Sequence, residues 1–275
     1  MKIIDKKVLL EAADTRVVRM EIAAPDIAAK ALPGQFVVLM VSEQGERVPL
    51  TVVSTDAASG ILVIIFQEVG LTTRLLGALE PGEDLYSLVG PLGQATEIKN
   101  YGRIILVGGG VGIAEIYPVA KAFQQKGNKV ISILGARTKN LLILEKEMRS
   151  ASDEVHITTD DGSCGRKGFV SDVLKEQLEK EPCALVYAVG PIPMMKAVAS
   201  LTKGLHVRTL VSLNAVMVDG TGMCGCCRVT LGGEIKFSCV DGPEFDAHLV
   251  DWNELTQRNN VYREKERHVC KLRNL

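Results

Sequence analysis

The chain has no long apolar run. Its longest, such as Ile61 to Phe66, are only a few residues, against the ~20 that a membrane-spanning helix needs. Nor does it have much net charge: 32 Lys and Arg against 33 Asp and Glu leave −1, spread along the chain, which offers no electrostatic footprint for nucleic acid or a membrane surface. The first residues, Met1-Lys2-Ile3-Ile4-Asp5, lack an apolar h-region, so no secretory signal is expected. Histidine is scarce: His156, His206, His248 and His268 are scattered and lack metalloprotease spacing. There is a single tryptophan, Trp252, with no internal repeat and no low-complexity segment. What remains is 47% hydrophobic and 24% charged, an average globular composition. At 275 residues the chain exceeds the usual domain of ~100–150, so two domains in a cytoplasmic protein are expected.

The cysteines break this ordinary picture. There are seven, and Cys224, Cys226, Cys227 and Cys239 crowd together while Cys164, Cys183 and Cys270 are scattered. Such clustering favours metal or redox chemistry over a disulfide framework.

Three kinds of grammar follow one another along the chain. The first hundred residues read as strands at Lys7 to Leu10, Val17 to Ile22, Phe36 to Val41, Val48 to Ser54, Ile61 to Gln67 and Leu85 to Val89, with Pro and Gly punctuation and one short helix at Thr72 to Leu79. That spacing suits a small antiparallel barrel. After Gly93 strands and helices alternate: strands at Arg103 to Val107, Val130 to Leu134, Val155 to Thr159, Leu185 to Val189 and Val207 to Val211, helices at Ala114 to Lys126, Leu141 to Arg149, Phe169 to Glu179 and Pro193 to Leu201. This predicts a doubly wound parallel sheet. From Ser212 a Gly- and Cys-rich stretch takes over, followed by a polar tail. The expected division is two domains, 1–98 and 99–211, and a C-terminal segment, 212–275.

The strongest local pattern is Asp219, Cys224, Cys227 and Cys239. Two thiols separated by two residues grip one centre from a tight Gly-containing loop, and a third returns on a hairpin. Counting back past four intervening residues from Cys224 reaches Asp219, which reproduces the plant-type ferredoxin spacing C-x4-C-x2-C with a carboxylate in the first position. A carboxylate carries the same charge as a thiolate but is a harder ligand. A structural zinc loop and plain buried cysteines are the alternatives, and Cys226 is an alternative to Cys227.

Gly108 to Gly112 lies between an apolar strand and a helix, where backbone N–H groups and the helix dipole favour a pyrophosphate. Asp160-Asp161-Gly162-Ser163 and Gly190-Pro191-Ile192-Pro193-Met194 end two other strands, where open α/β sheets bind ligands. The paired carboxylates suit an adenosine ribose and disfavour a 2′-phosphate, tilting the preference to NAD(H), although Arg166 and Lys167 stand nearby. Each loop read alone is also ordinary turn chemistry. Arg47-Val48-Pro49-Leu50-Thr51 and Val69-Gly70-Leu71-Thr72-Thr73 offer a cation, a stiff strand and a helix start suited to a flavin dinucleotide.

With these residues in view the chain resembles the ferredoxin-NADP reductase superfamily, in the branch of the dihydroorotate dehydrogenase B electron-transfer subunit. Within it the chain is most similar to the small subunits of NADH-dependent reduced ferredoxin:NADP oxidoreductase, also described as sulfide dehydrogenase subunits. The resemblance spans nearly the whole chain and is strongest at Gly108 to Gly112, Gly190 to Met195 and Ser212 to Cys227. It implies FAD in the barrel, with contacts at Arg47, Pro49, Leu50 and Thr51, at Phe66 and Gln67, and at Gly70, Thr72 and Thr73. It implies NAD(H) in the second domain, at Gly109, Gly110, Val111 and Gly112, at Asp160, Asp161 and Gly162, and at Gly190, Pro191 and Met194. It implies a [2Fe-2S] cluster on Asp219, Cys224, Cys227 and Cys239. The dihydroorotate relatives carry four cysteine ligands, so Asp219 turns the resemblance toward the ferredoxin:NADP type. The R-x-Y-S/T flavin motif is loosened: Arg47 stands four positions before Thr51 and Leu50 replaces Tyr, which shifts the expected contact to Pro49, Leu50 and Thr51.

The activity so implied is hydride exchange between NAD(H) and flavin, then single-electron relay to a larger flavin and iron-sulfur subunit that binds NADP(H) and bifurcates electrons with ferredoxin. No side chain is required as acid or base. The alternatives are an electron-transfer subunit of a dihydroorotate dehydrogenase B-type complex and a non-catalytic NAD or redox sensor.

Overall fold

A computed structural model describes residues 1–12 and 15–262, with Lys265 and His268 beyond them; Cys270 lies outside the described residues. The chain forms two compact units. The first takes Met1–Ala95, Asn214–Pro243 and the chain from Asp251 onward, the second Thr96–Leu213 and Glu244–Val250.

In the first unit β1 (Ile3–Ala12) and β2 (Thr15–Ala23) precede the short α1 (Pro25–Ala28), then β3 (Phe36–Met40), β4 (Val48–Thr51), β5 (Ser54–Asp56), β6 (Ile61–Gln67), α2 (Leu71–Ala78) and β7 (Ser87–Leu92). Two antiparallel sheets result, in the orders β1-β2-β6-β5 and β4-β3-β7. Apolar side chains of both, among them Val18, Met20, Ile22, Val37, Leu39, Leu62 and Ile64, fill one core. The strand expected from Val48 to Ser54 is two strands. Val52 N–H bonds to Gln35 O and Val53 N–H to Val63 O, so neighbouring residues serve different sheets and the chain crosses over there. The strand expected at Leu85 to Val89 starts two residues later and runs on through Gly90 and Pro91. A proline is tolerated because β7 is an edge strand.

In the second unit β8 (Arg103–Gly109), α3 (Gly112–Gln125), β9 (Lys129–Ala136), α4 (Glu145–Ser150), β10 (Glu154–Thr159), β11 (Arg166–Lys167), α5 (Val170–Lys180), β12 (Leu185–Val189), α6 (Ile192–Gly204) and β13 (Thr209–Ser212) alternate as expected, except that the two-residue β11, not expected from the sequence, follows β10 directly. Every residue of β8 and β12 is buried, the mark of strands covered on both faces. The helix expected from Leu141 is shorter, because Leu144 sits at φ 54, a left-handed conformation that no helix continues through. Phe169, expected on the apolar face of the next helix, is 65% exposed and precedes α5. Its N–H is held by the Asp172 carboxylate at 3.0 Å, half of a capping box.

The stretch after Ser212 holds the hairpin expected ahead of Cys239 and one further strand that its sequence does not announce. β14 (Arg228–Leu231) and β15 (Glu234–Phe237) form a hairpin, β16 (Glu244–Asp246) follows, and α7 (Trp252–Asn260) closes the described chain. The hairpin and α7 belong to the first unit, but β16 joins the second as an antiparallel edge, giving the sheet order β11-β10-β9-β8-β12-β13-β16.

Candidate functional sites

In the first unit, β4 is half-buried along its whole length, so Pro49, Leu50 and Thr51 each present part of their surface. Beyond β6, Gly70 caps α2 in extended conformation, and a side chain there would meet nothing within 4 Å. The Thr73 hydroxyl accepts the N–H groups of Val69 at 3.0 Å and Gly70 at 3.1 Å, so it organises the turn. Thr72 donates to the Glu46 carboxylate at 3.0 Å. An open glycine at the start of a helix, beside a half-covered strand, fits a dinucleotide phosphate and a planar ring. Two expected flavin contacts have other partners within the chain. The Phe66 side chain is 1% exposed within the barrel core, where strand alternation turns it inward. Arg47 donates through Nη2 to the backbone carbonyl of Asp219 at 2.9 Å, and its buried Nε has no partner. Gln67, at the end of β6, is half-buried.

The cysteine loop lies in the same unit. Three glycines take positive φ, Gly220 at 83°, Gly222 at 90° and Gly225 at 68°, conformations that residues with a Cβ resist. Gly220 also lies where a Cβ would meet Val38 Cγ2 at 2.7 Å. The Asp219 carboxylate accepts the Thr221 N–H at 2.8 Å, the Thr221 hydroxyl and, more weakly, the Met223 N–H at 3.4 Å. All three fall on Oδ2, and chiefly the Thr221 hydroxyl lowers the acid's pKa.

Cys227 and Cys239 are buried with their sulfurs 3.1 Å apart. The Cys239 N–H donates to Cys227 Sγ at 3.4 Å. Burial, then the neighbouring Cys227 thiol, pushes Cys239 up to about 12. Cys224 is exposed, and the backbone N–H groups of Cys226 and Asp219 lower its pKa. Among the described residues no group of three or more His, Cys, Asp or Glu is placed to hold a metal ion. A two-iron cluster divides its ligands between two irons. One close buried thiol pair, one exposed thiol and an anchored carboxylate fit that division, as do N–H groups aimed at sulfur. Cys226, weighed as an alternative to Cys227, is half-buried, and its carbonyl accepts from Arg258 Nη2 at 2.8 Å. Arg258 is the residue that sequence reasoning missed, since nothing in the polar tail marks it out.

The nucleotide-type loops lie in the second unit. Gly109 and Gly112 leave no room for side chains: a Cβ would sit 2.4 Å from Met194 Sδ at the first and 2.4 Å from the Val189 carbonyl at the second. Gly110, at φ 58, faces open space. Val111 follows it without a side-chain cap for α3; in the first turn the Ile113 and Ala114 N–H groups bond to the carbonyls of Gly110 at 3.2 Å and Val111 at 2.9 Å. Gly190, at φ 157, would meet Met194 Cε at 2.7 Å and Gly109 N at 3.1 Å. The sheet thus brings the glycine turn and the Gly190-Pro191 loop together at the C-terminal ends of β8 and β12. Asp160 and Asp161 are exposed on another loop. Asp161 accepts from the Ser163 hydroxyl at 2.6 Å and N–H at 2.9 Å, bonds that lower its pKa. Arg166, the nearby cation, is paired with Glu176 at 2.5 Å.

This unit also buries polar groups that no motif indicated. The Glu244 carboxylate on β16 accepts from the Tyr187 hydroxyl at 2.7 Å and from the Thr96 hydroxyl. Burial raises the Glu244 pKa and, reinforced by Glu244, that of Tyr187.

Known proteins match this arrangement. Residues 106–200 match the oxidoreductase NAD-binding domain and residues 214–251 the iron-sulfur cluster binding domain of dihydroorotate dehydrogenase B. The chain is 48% identical over 246 residues to a homologue of the dihydroorotate dehydrogenase B (NAD(+)) electron transfer subunit from Thermotoga maritima, covering 90% of this chain and 87% of that one. It is 45% identical to an uncharacterized protein of Clostridium beijerinckii encoded in an adh 3′ region, covering 96% and 91%. Among solved structures, one of the NADH-dependent reduced ferredoxin-NADP oxidoreductase, described in connection with flavin-based electron bifurcation, matches with a TM-score of 0.91 and 45% identity over 97% of this chain and 95% of the other. The chain belongs to the ferredoxin-NADP reductase superfamily, among the dihydroorotate dehydrogenase B-type electron-transfer subunits, and is an oxidoreductase subunit served by FAD, NAD(H) and an iron-sulfur cluster.

Proposed function

We propose that the chain is the flavin and iron-sulfur subunit of a bifurcating NADH-dependent ferredoxin:NADP oxidoreductase, working in the cytoplasm beside a larger flavin and iron-sulfur subunit that binds NADP(H). The observation that carries this reading is Asp219. It stands before Cys224 with four residues intervening, and its carboxylate is anchored through Oδ2 to the Thr221 N–H and hydroxyl, so Oδ1 is left to serve as the fourth ligand of a [2Fe-2S] cluster beside Cys224, Cys227 and Cys239. A flavin takes two electrons from a nicotinamide and passes them on singly, which a cluster accepting one at a time requires.

The residues of this chain bind and position. Pro49, Leu50, Thr51 and Gln67 face the flavin ring, while Gly70, Thr72 and Thr73 shape the turn for its phosphates. Gly110, Val111 and the first turn of α3 take the dinucleotide pyrophosphate, and Gly109 and Gly112 let strand and helix close behind it. Gly190, Pro191 and Met194 form the floor for the nicotinamide. Asp160 and Asp161 meet the adenosine ribose and their charge disfavours a 2′-phosphate, so the preference is for NADH over NADPH, with Arg166 and Lys167 nearby as the opposing charges.

Anaerobic purification tests the reading. It expects one flavin and two irons per chain, NADH-dependent flavin reduction, and a co-purifying NADP(H)-binding subunit. Protein carrying zinc and no flavin would sink it. A dihydroorotate dehydrogenase as the co-purifying subunit would instead establish the second reading, favoured by the match of residues 214–251.

A further inference from the structure

The loop from Asp219 to Cys227 is built from residues that resist holding one shape. Gly220, Gly222 and Gly225 have positive φ, and glycines lose more conformational freedom on ordering than other residues. Cys224, Thr221 and Met223 are exposed, the last at 88%, so packing contributes little to the outer half. Two arginines reach it from distant parts of the chain, and the adjoining Arg228 donates to the Gly225 carbonyl at 3.4 Å. Arg47, which directly precedes β4, donates to the carbonyl of Asp219 at 2.9 Å. Arg258, in the last turn of α7, donates to the carbonyl of Cys226 at 2.8 Å. These carbonyls stand at the two ends of the loop, one on the first expected ligand and one beside Cys227. Both arginines come from parts of the chain distant in sequence, 172 and 32 residues away.

We propose that Arg47 and Arg258 are positioning residues that clamp the cluster loop at both ends and hold two permanent positive charges beside the cluster, raising its reduction potential. The inference rests on the iron-sulfur reading above. A guanidinium stays charged at all working pH, and the proposed ligand set is anionic. Reduction adds one more negative charge, so a fixed cation favours the reduced form. Hydrogen bonding and net charge around a cluster are the protein's usual means of setting its potential. Arg47 therefore serves the cluster loop, although its place in the sequence suggested a flavin phosphate.

The test compares the full-length wild-type chain with R47Q, R258Q, R47K and R258K. Three quantities are measured: iron and flavin content, the cluster midpoint potential by EPR-monitored titration, and hydrogen exchange of residues 219–227. Each Gln variant is expected to lower the potential and to speed exchange in the loop while keeping flavin. Each Lys variant keeps the charge but loses the planar fork, so it is expected to restore most of the potential and less of the protection. Wild-type potential and exchange in both Gln variants would overturn the clamp. Loss of flavin in R47Q with an unmoved cluster would return Arg47 to the flavin and overturn its part. Absence of iron from the wild-type chain would instead refute the cluster reading itself, while the exchange data still report whether the arginines hold the loop.

Discussion

Single residues carry the sharpest consequences. Gly112 is held because a Cβ would lie 2.4 Å from the Val189 carbonyl. Gly112→Ala should cost about 1–3 kcal/mol through overpacking and weaken NADH binding, readable as a lower unfolding midpoint in urea and a higher Kd. Asp219→Cys should keep an iron-sulfur cluster and shift its potential; an unmoved potential in the same titration would remove Asp219 from the ligand set. Glu244 makes a prediction about pH. Its folded pKa lies above the ordinary 4.5 because burial disfavours the carboxylate. The folded state therefore holds the proton more tightly than the unfolded chain, and the stability this contributes is full below 4.5 and lost as pH rises through the folded value. Glu244→Gln keeps an acceptor for Tyr187 and Thr96 and has no proton to lose. Urea unfolding from pH 4 upward should show a decline in the wild type that the variant flattens.

At the scale of elements, what could be read from sequence depended on whether a pattern was local. β6 and β12 are found at their expected bounds, because continuous apolar runs such as Ile61 to Phe66 and Leu185 to Val189 have little choice but burial. The glycine turn before α3 was legible for the same reason: it sits directly between strand and helix. Strand β16 was hidden, because its partner is set by topology and Glu244-Phe245-Asp246 carries no alternation longer than one apolar residue, whereas β14 and β15 alternate polar and apolar residues around Gly232-Gly233 and form the hairpin expected ahead of Cys239. The cluster loop was legible as a ligand spacing, but Arg258 was not, since its bond to the Cys226 carbonyl is made across the fold. The start of α7 is more ordinary and more testable. Asp251 accepts the N–H groups of Asn253 and Glu254, each at 3.0 Å. Asp251→Ala should cost about 1 kcal/mol as a lost cap, seen in chemical denaturation. By loosening the helix that carries Arg258, it should also lower iron retention.

At the scale of the whole molecule, two kinds of electron carrier are served by separate pieces of chain. Removing the cluster with chelator and reductant should leave NADH-driven bleaching of the flavin intact and abolish transfer to a one-electron protein acceptor, which stopped-flow absorbance distinguishes. The order in which the chain visits its units has a further consequence. Glu244–Val250 leaves the cysteine-bearing unit, supplies β16 as the edge of the nucleotide sheet, and the chain then returns to the first unit at Asp251. The iron-sulfur portion is therefore not a detachable cassette. A chain shortened to end near Ser212 would lose its cluster and also bare the hydrogen-bonding edge of β13, the kind of open strand that recruits other chains. For anyone grafting this module onto another reductase, the seven residues of the crossing must travel with the cysteines, or the recipient will trade a redox centre for aggregation.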